Sequence, residues 1–390
     1  MANAIPRVPE VLIERLTRAP GKAVPWAEVM QLALYEPLVG YYRQGVRRIG
    51  RGGDFYTSVS VGSLYGDLLA EYVASVWSAA GQPTGFGILE QGAHDGTLAR
   101  DLLEAVERRH PDLAAVLAYV IIDPDDALRE AQQSRVGPEF ASRLTHVAAW
   151  TEVPVIQGVL ICNELLDAFA VHRIEFTSDG WRELHVTARE DGAFEFIQGP
   201  PSTSALEAEL ARLGDDFPAG FVTELNVAML SWLEEVSQSA FTGEILLADY
   251  GHAAREYYIP ERNGGTLRRY YQHRTDDRVL EDLGEADLTA HVNFTRLAER
   301  GIELGMTVRE FIEQGRFLTH VAAGLLRQPG FSPEPAWMRQ FQTLTHPGHL
   351  GHAFQILTLQ KGGEAIQAKP DEARREAALR RLGIESAPSY

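Results

Sequence analysis

The chain has 390 residues, of which 45% are hydrophobic, and carries 36 basic and 54 acidic side chains for a formal net charge of −18. That length suits one large α/β domain with insertions or two domains. The acidic balance, without a basic stripe, argues against a general nucleic-acid binder. No run reaches membrane-spanning length, and the single cysteine, Cys162, excludes an intramolecular disulfide and reads as a buried strand thiol.

The N-terminus has no secretory apolar core, and Glu10 and Glu14 interrupt Arg7, Arg15 and Arg18. Neither a signal nor a transit peptide is expected, and the expected setting is a bacterial-type cytoplasm. Residues 9–20 and 25–35 read as helices, with Pro25 suited to a first turn. Gly40 to Ser58 (GYYRQGVRRIGRGGDFYTS) is too irregular for a core element. It reads as a surface loop, or as a flap over a ligand with Asp54, Phe55 and Thr57 facing inward. A helix resumes from Gly62 to Ala79, with Leu64, Leu68, Tyr72 and Val76 near one face.

Phe86 to Arg108 (FGILEQGAHDGTLARDLLEAVER) organises the rest. A short apolar strand passes through a turn carrying Gly92 and Gly96 and enters a helix with Leu98, Leu102, Ala105 and Val106 on one face, stopped by Pro111. Strand, glycine turn and helix make the first unit of a doubly wound α/β sheet, where ligands lie beyond the carboxyl ends of the strands. The glycines let the backbone approach a ligand, and the helix start aims free N–H groups at it. Glu90, at the strand end, suits a ligand bearing positive charge or donor groups. A dinucleotide fingerprint would place a pyrophosphate here. The acid instead suggests S-adenosylmethionine, which carries a sulfonium, an ammonium and no phosphate; a plain tight turn is the other reading.

Ala118–Ile122 is a second buried strand ending in Asp123, where nucleotide-binding α/β folds hold ribose hydroxyls, unless Asp123 is only a solvated turn acid. Arg143–Trp150 holds a third strand. Gly158–Cys162 is a fourth and runs into NELLDA, Asn163 to Ala168, so Asn163, Glu164 and Asp167 are site candidates; a helix N-terminus capped by Asn163 fits the same residues. HRIEF, WRELHV and FEFI alternate as a small antiparallel sheet. Ser204 to Glu207 is a capping box opening a helix closed by Gly214, and Glu224 begins another with Val227, Leu230 and Leu233. Gly243–Gly251 is a fifth strand ending in Asp249-Tyr250-Gly251.

Gly264–His273 (GGTLRRYYQH) and Gly284–Phe294 (GEADLTAHVNF) read as loop stretches. Their His273 and His291 are candidate catalytic groups or satisfied structural histidines. His346, His349 and His352 have triplet spacing, but Pro347, Gly348 and Gly351 argue against a helix that would align them, and no metal is expected. Ala353–Leu359 is a last strand, and the charged tail from Gly363 is expected to be partly helical and peripheral. The segments expected are 1–80 (N-terminal helices and flap), 81–171 (first part of the core), 172–240 (insertion), 241–362 (second part of the core with substrate-side loops) and 363–390 (tail).

As a set, these motifs resemble the MidA-like methyltransferases, the family of the mitochondrial complex I assembly arginine methyltransferase. The resemblance runs from about Trp26 to Gly362. It rests on GYY, GDFYTS and the Tyr65-Gly66 pair, on E-x-G-x-x-x-G-T-L at Glu90–Leu98, LR-x-x-Q at Leu128–Gln132 and NE-x-LDA at Asn163–Ala168. DYG at Asp249–Gly251, GTL-x-x-Y-x-x-H at Gly265–His273, which includes Tyr270, and DLTAHVNF at Asp287–Phe294 complete it. It implies a class I S-adenosylmethionine-dependent methyltransferase, a Rossmann-like doubly wound sheet with an N-terminal helical segment and inserted antiparallel strands and helices.

By the resemblance, Glu90, Gly92, Ala93, Gly96 and Thr97 line the methionine end of the cofactor, and Asp123 takes the ribose. Asn163, Glu164 and Asp167 flank the transferred methyl, with the flap's Phe55 and Thr57 over the cofactor. A protein arginine is the implied acceptor, a respiratory complex I subunit or a similar protein its implied source; the sequence leaves oligomeric state open. Glu164 and Asp167 are the first candidates to orient the acceptor, Asp249 and Glu224 the reserves, and Tyr270, His273 and His291 lie on the substrate side. His94 stands where the family has a glycine, which leaves open a second reading, a methyltransferase-fold assembly factor or binding module with little or no turnover.

Overall fold

The apolar runs of the sequence become one mixed sheet. The computed structural model describes residues 7–44, 57–272, 274–328, 330–362 and 371–385. The strands are β1 (Phe86–Gln91), β2 (Leu117–Ile122), β3 (Leu144–Val147), β4 (Ile156–Asn163), β5 (Phe241–His252), β6 (Thr307–Glu313) and β7 (Phe354–Lys361). Their order across the sheet is β3-β2-β1-β4-β5-β7-β6. β1 is parallel to both β2 and β4, and β3 and β5 continue the parallel pairing outward. β7 runs antiparallel to β5 and to β6. Strand order therefore reverses at β1, which makes the carboxyl ends of β1, β2 and β4 a topological switch point.

Two helices cover one face: α1 (Leu64–Ala79) and α2 (Thr97–Arg109). The helical face read from the sequence is the buried one, since Leu98, Leu102, Ala105 and Val106 join Ile88, Tyr119, Val159 and Leu246 in one core. Gly66 explains the Tyr65-Gly66 pair, because a Cβ there would lie 2.5 Å from Asp101 Cβ and hold α1 and α2 apart. Near the amino ends of the strands, Gly87, Gly158 and Gly243 stand opposite one another on β1, β4 and β5. A Cβ on Gly158 would fall 1.8 Å from the carbonyl oxygen of Gly87.

This sheet belongs to one of two compact units, made of Tyr56–Leu165, Trp232–Ala254 and Asn293–Tyr390; the other is Met1–Phe55, Leu166–Ser231 and Arg255–Val292. In the second of these, the strand Ala23–Pro25 pairs with Gly180–Ala188, which pairs with His172–Thr177 and Phe194–Gly199; Phe221–Leu225 adds to His172–Thr177. The units thus cross the expected segment boundaries: the hydrogen bonds of Ala23–Pro25 tie the N-terminal helices to the small sheet that was read as an insertion.

Other local expectations shift for identifiable reasons. Pro25 is the N-cap of the helix Trp26–Tyr35, not part of its first turn. Thr203, whose hydroxyl accepts from the Leu206 N–H, caps the helix Ser204–Leu213 in place of Ser204. Glu224 lies in a strand, and the helix starts at Val227. The two loop stretches contribute Arg268–Tyr271 and Asp287–Thr289, paired antiparallel in a three-stranded sheet. The tail is not peripheral: in the helix Glu372–Leu382, Ala378, Leu379 and Leu382 are buried, and the Thr295 hydroxyl donates to the Leu382 carbonyl at 2.7 Å. Among the described residues no helix is long and apolar enough to cross a membrane, and no group of three or more metal-ligating side chains could hold an ion. His352 Nδ1 lies 3.2 Å from a Glu313 carboxylate oxygen.

Gly158→Ala is expected to destabilise the protein by about 3 kcal/mol, since the backbones of β1 and β4 must separate at Gly87 to admit one methyl. Chemical denaturation measures it; a midpoint equal to that of the natural chain would show that the glycine row carries no packing constraint.

Candidate functional site

The site begins where β1 stops. Glu90 is buried at the strand end, and the Tyr119 hydroxyl on β2 donates to its Oε2 at 2.7 Å. Burial pushes the Glu90 carboxyl up to about 7; the Tyr119 hydrogen bond works against that rise and the nearby Asp95 charge adds to it. Past the strand, Gly92 takes φ +82° and is exposed, and a Cβ on it would meet Leu165 Cδ1 at 3.3 Å. Ala93 is buried. His94 takes φ +46°, in the left-handed region where a side chain is disfavoured. Asp95 accepts the N–H of Thr97, the first residue of α2, at 3.0 Å, and Gly96 is the N-cap. Burial opposes its ionisation, but hydrogen bonds from His94 and from Thr97 outweigh that and hold it well below the usual carboxylate range. Gly96, φ +83°, backs onto Gln132, whose Cα would lie 3.0 Å from any Cβ placed there.

Asp123 ends β2 and is buried. Its Oδ1 accepts the Asp125 N–H at 2.9 Å and its Oδ2 accepts from Gln132 Nε2 at 2.8 Å. The Asp123 carbonyl accepts from Arg129 Nε at 2.8 Å. Gln132 comes from the helix α3 (Asp126–Val136), which the Asp125 side chain caps. Burial and the Arg129 charge lower the pKa of His146, the β3 residue opposite Ile121, while Asp123 raises it.

β4 ends in Asn163, which does not cap a helix: no helix follows it, and its side chain is engaged otherwise. The Tyr65 hydroxyl donates to Asn163 Oδ1 at 2.8 Å, and Asn163 Nδ2 donates to Glu164 Oε1 at 2.9 Å. Glu164 takes φ +53°, with its N–H donated to the Ala248 carbonyl on β5. Burial, and then the Glu164 charge, push the Tyr65 phenol well up. Asp249 on β5 is buried and accepts the Tyr250 N–H. Gln91, next to Glu90 but with its side chain on the other face of β1, accepts from two indoles at once, Trp150 Nε1 at 3.0 Å and Trp232 Nε1 at 2.7 Å. The Thr57 hydroxyl accepts the Ser60 N–H and closes its own turn, so of the flap triad only Thr57 can be placed; Asp54 and Phe55 lie outside the described residues.

The remaining candidates belong to the other unit. Asp167 is buried, and burial pushes its carboxyl up to about 7, against hydrogen bonds from its own and the Ala168 N–H. Asp287 accepts the Tyr42 hydroxyl at 3.0 Å, Tyr35 stacks on Tyr42 with ring centroids 5.5 Å apart, and Tyr270 lies opposite Asp287 across the strand pair. Burial and then these two carboxylates raise the pKa of Tyr270. Glu224 is buried and accepts the Thr266 N–H and hydroxyl on one oxygen. The His291 N–H donates to the same Thr266 hydroxyl oxygen. His273 lies outside the described residues.

Glu90, Gly92, Ala93, Gly96, Thr97, Asp123, Asn163, Glu164 and Asp249 therefore share one unit, at the carboxyl ends of four parallel strands. Asp167, Glu224, Tyr270 and His291 are gathered in the other. The sequence reading gave no role to Tyr119, Gln91, Trp150 or Trp232, which lie at long sequence separations with no spacing to announce them. Gln132 and Tyr65 were visible only as members of motifs.

The residues at the switch point fit S-adenosylmethionine. A strand-end acid faces the turn, Gly92 and Gly96 leave room where a Cβ would crowd neighbours, and a second acid ends β2. Among the described residues His94 Nε2 and Gln132 Oε1 are buried without a hydrogen-bond partner. A seven-strand order reversing at a glycine turn, with acids ending the first two strands, defines the class I methyltransferase fold. The model of an S-adenosyl-L-methionine-dependent methyltransferase family matches residues 68–312, and the chain belongs to that family.

Among its relatives are proteins named protein arginine methyltransferase NDUFAF7, mitochondrial, from Rattus norvegicus, 27% identical with 88% of this chain and 84% of that one covered, and its Drosophila melanogaster homologue, also 27% identical, with 87% and 82% covered. A Burkholderia thailandensis crystal structure bound to S-adenosylhomocysteine superposes with TM-score 0.80 at 29% identity, covering 93% of this chain and 95% of that one.

A carboxyl whose folded pKa lies above its unfolded value binds its proton more tightly when folded. Through Glu90, the stability of the ligand-free protein should therefore fall as pH rises from the ordinary carboxyl value through about 7. Glu90→Gln removes that part of the slope and leaves the ligand-free protein more stable above neutrality by on the order of 2 kcal/mol. Urea melts on either side of neutrality check this, and the same pH slope in both proteins would refute it.

Proposed function

We propose that this protein transfers the methyl group of S-adenosylmethionine to an arginine side chain of a protein acceptor. Glu164 carries the reading. A non-glycine residue held at φ +53° costs on the order of 1–3 kcal/mol and persists where the surrounding structure enforces it, commonly at functional sites. Here Asn163 fixes its carboxylate and the Ala248 carbonyl fixes its backbone, at the switch point of the sheet. The names of the relatives support arginine as the acceptor.

When bound, S-adenosylmethionine supplies an electrophilic methyl on a sulfonium. Glu90, Gly92, Ala93, Gly96 and Thr97 hold its methionine end and Asp123 its ribose. A guanidinium is protonated at any physiological pH, so its lone pairs are delocalised. The Glu164 carboxylate concentrates that positive charge on one nitrogen and turns another toward the methyl, which is catalysis by alignment. The family resemblance supports Asp167 and Asp249 as the next candidate carboxylates, Glu224, Tyr270, His273 and His291 as candidate substrate residues, and Phe55 and Thr57 as candidate cofactor residues. A respiratory complex I subunit or a similar protein is the acceptor class the family resemblance supports, in a bacterial-type cytoplasm.

His94 favours a second reading, a scaffold of the same fold with little turnover, because it puts a side chain on a turn position left to glycine in the family. Incubation with labelled S-adenosylmethionine and arginine-bearing peptides or the native cell extract separates the two. The proposal expects label on arginine and a loss of about 100-fold or more in transfer for Glu164→Gln, with S-adenosylhomocysteine still bound. Transfer by Glu164→Gln at the natural rate would remove Glu164 from the reaction, and no binding of S-adenosylhomocysteine by the natural chain would leave the scaffold.

A further inference from the structure

We infer that Gln132 is the positioning residue that makes a histidine tolerable in the cofactor turn, by tying that turn to the ribose acid. This rests on the methyltransferase reading above. The side chain of Gln132 is fully buried, and its single Nε2 serves two acceptors: the His94 carbonyl at 3.1 Å and Asp123 Oδ2 at 2.8 Å. Both acceptors demand a donor, so the amide cannot be flipped without setting its oxygen against a carboxylate and a carbonyl. One group thus fixes the acid ending β2 and the backbone of the turn after β1.

The turn needs that tie more here than a glycine would. At φ +46°, His94 is in a conformation a glycine enters freely and an L side chain resists. Its carbonyl is held from outside the turn by Gln132, while the turn's own bond runs from the Gly96 N–H to the Ala93 carbonyl at 2.8 Å. Gly96 lets α3 come this close, since any Cβ there would press on the Gln132 backbone. Without the Gln132 donor, His94 can relax toward negative φ and carry the turn out of register with its ligand. With glycine at 94 that penalty is absent. The coupling to Asp123 is independent of residue 94.

Two ligands separate the arms: S-adenosylhomocysteine, which touches both the turn and the ribose acid, and 5′-methylthioadenosine, which lacks the amino-acid end. Calorimetry on the full chain is expected to show Gln132→Met weakening both by about tenfold, the scale of one lost hydrogen bond to a charged group. Adding His94→Gly to Gln132→Met should restore several-fold affinity for S-adenosylhomocysteine and none for 5′-methylthioadenosine. His94→Gly alone should bind both within about twofold of the natural chain, since the Gln132 donor already holds the turn.

Wild-type affinity of Gln132→Met for both ligands would overturn the inference, as would a loss that His94→Gly leaves unchanged for both, which is what a merely structural glutamine gives. If Gln132→Met does not fold, Gln132→Asn, which cannot reach both acceptors, carries the same comparison. Failure of the natural chain to bind S-adenosylhomocysteine would strike the methyltransferase reading itself, whereas normal binding in every variant strikes only the role of Gln132.

Discussion

A buried acid at the end of the first strand is the constraint on which the site depends. Glu90 is placed by a sheet whose order reverses beneath it, and Tyr119 donates to it from the next strand. A lone buried carboxylate is costly unless it is hydrogen-bonded or neutralised, and this one is held by one bond and shifted toward neutrality by burial. A cationic ligand with donor groups reverses that cost. The ionised carboxyl by itself is unfavourable at this position, which sets it apart from a residue that only packs.

The same logic spreads outward along the strand ends. Asp123 repeats it on β2, with Gln132 as its donor, and Glu164 repeats it after β4, with Asn163 as its donor. Each of these two carboxylates accepts from a neutral side-chain amide. The left-handed backbone at His94 and Glu164 falls on two of the turns that leave the switch point. Hydrogen bonds from Gln132 to the His94 carbonyl and from the Glu164 N–H to the Ala248 carbonyl hold the backbone there.

The Gln91 oxygen, shared by two indoles on the opposite face of β1, shows how the rest of the unit supports this arrangement. Alternation along the strand sends Glu90 and Gln91 to opposite faces, so one residue accepts from Tyr119 and the next is locked by Trp150 and Trp232. The two tryptophans pack edge to face at 6.4 Å and pin the strand end from behind. In the other unit, Tyr42 of GYY, Asp167 of NE-x-LDA, Tyr270 of GTL-x-x-Y and Asp287 of DLTAHVNF meet with Tyr35 in a tyrosine and carboxylate cluster. Those short patterns thus mark a three-dimensional neighbourhood, although they are scattered along the chain.

Sequence alone determined the periodic and the local: the parallel strands from their apolar runs, α2 from its i, i+3, i+4 face, the turn glycines, and the acids that end β1 and β2. These follow from short-range sterics and from burial patterns repeated every two or 3.6 residues. It misread what depends on distant partners. Glu224 looked like a helix start and is a strand residue because His172–Thr177 pairs with it. The stretch Gly264–His273 looked like a loop and carries a strand because Asp287–Thr289 pairs with it, and the charged tail looked peripheral although Thr295 and a buried apolar edge hold it. Only the tertiary structure could bring Tyr119 to Glu90, Gln132 to Asp123 and His94, and Tyr65 to Asn163. Such bonds join residues that no periodicity relates, and their energy exists only once the backbone has folded.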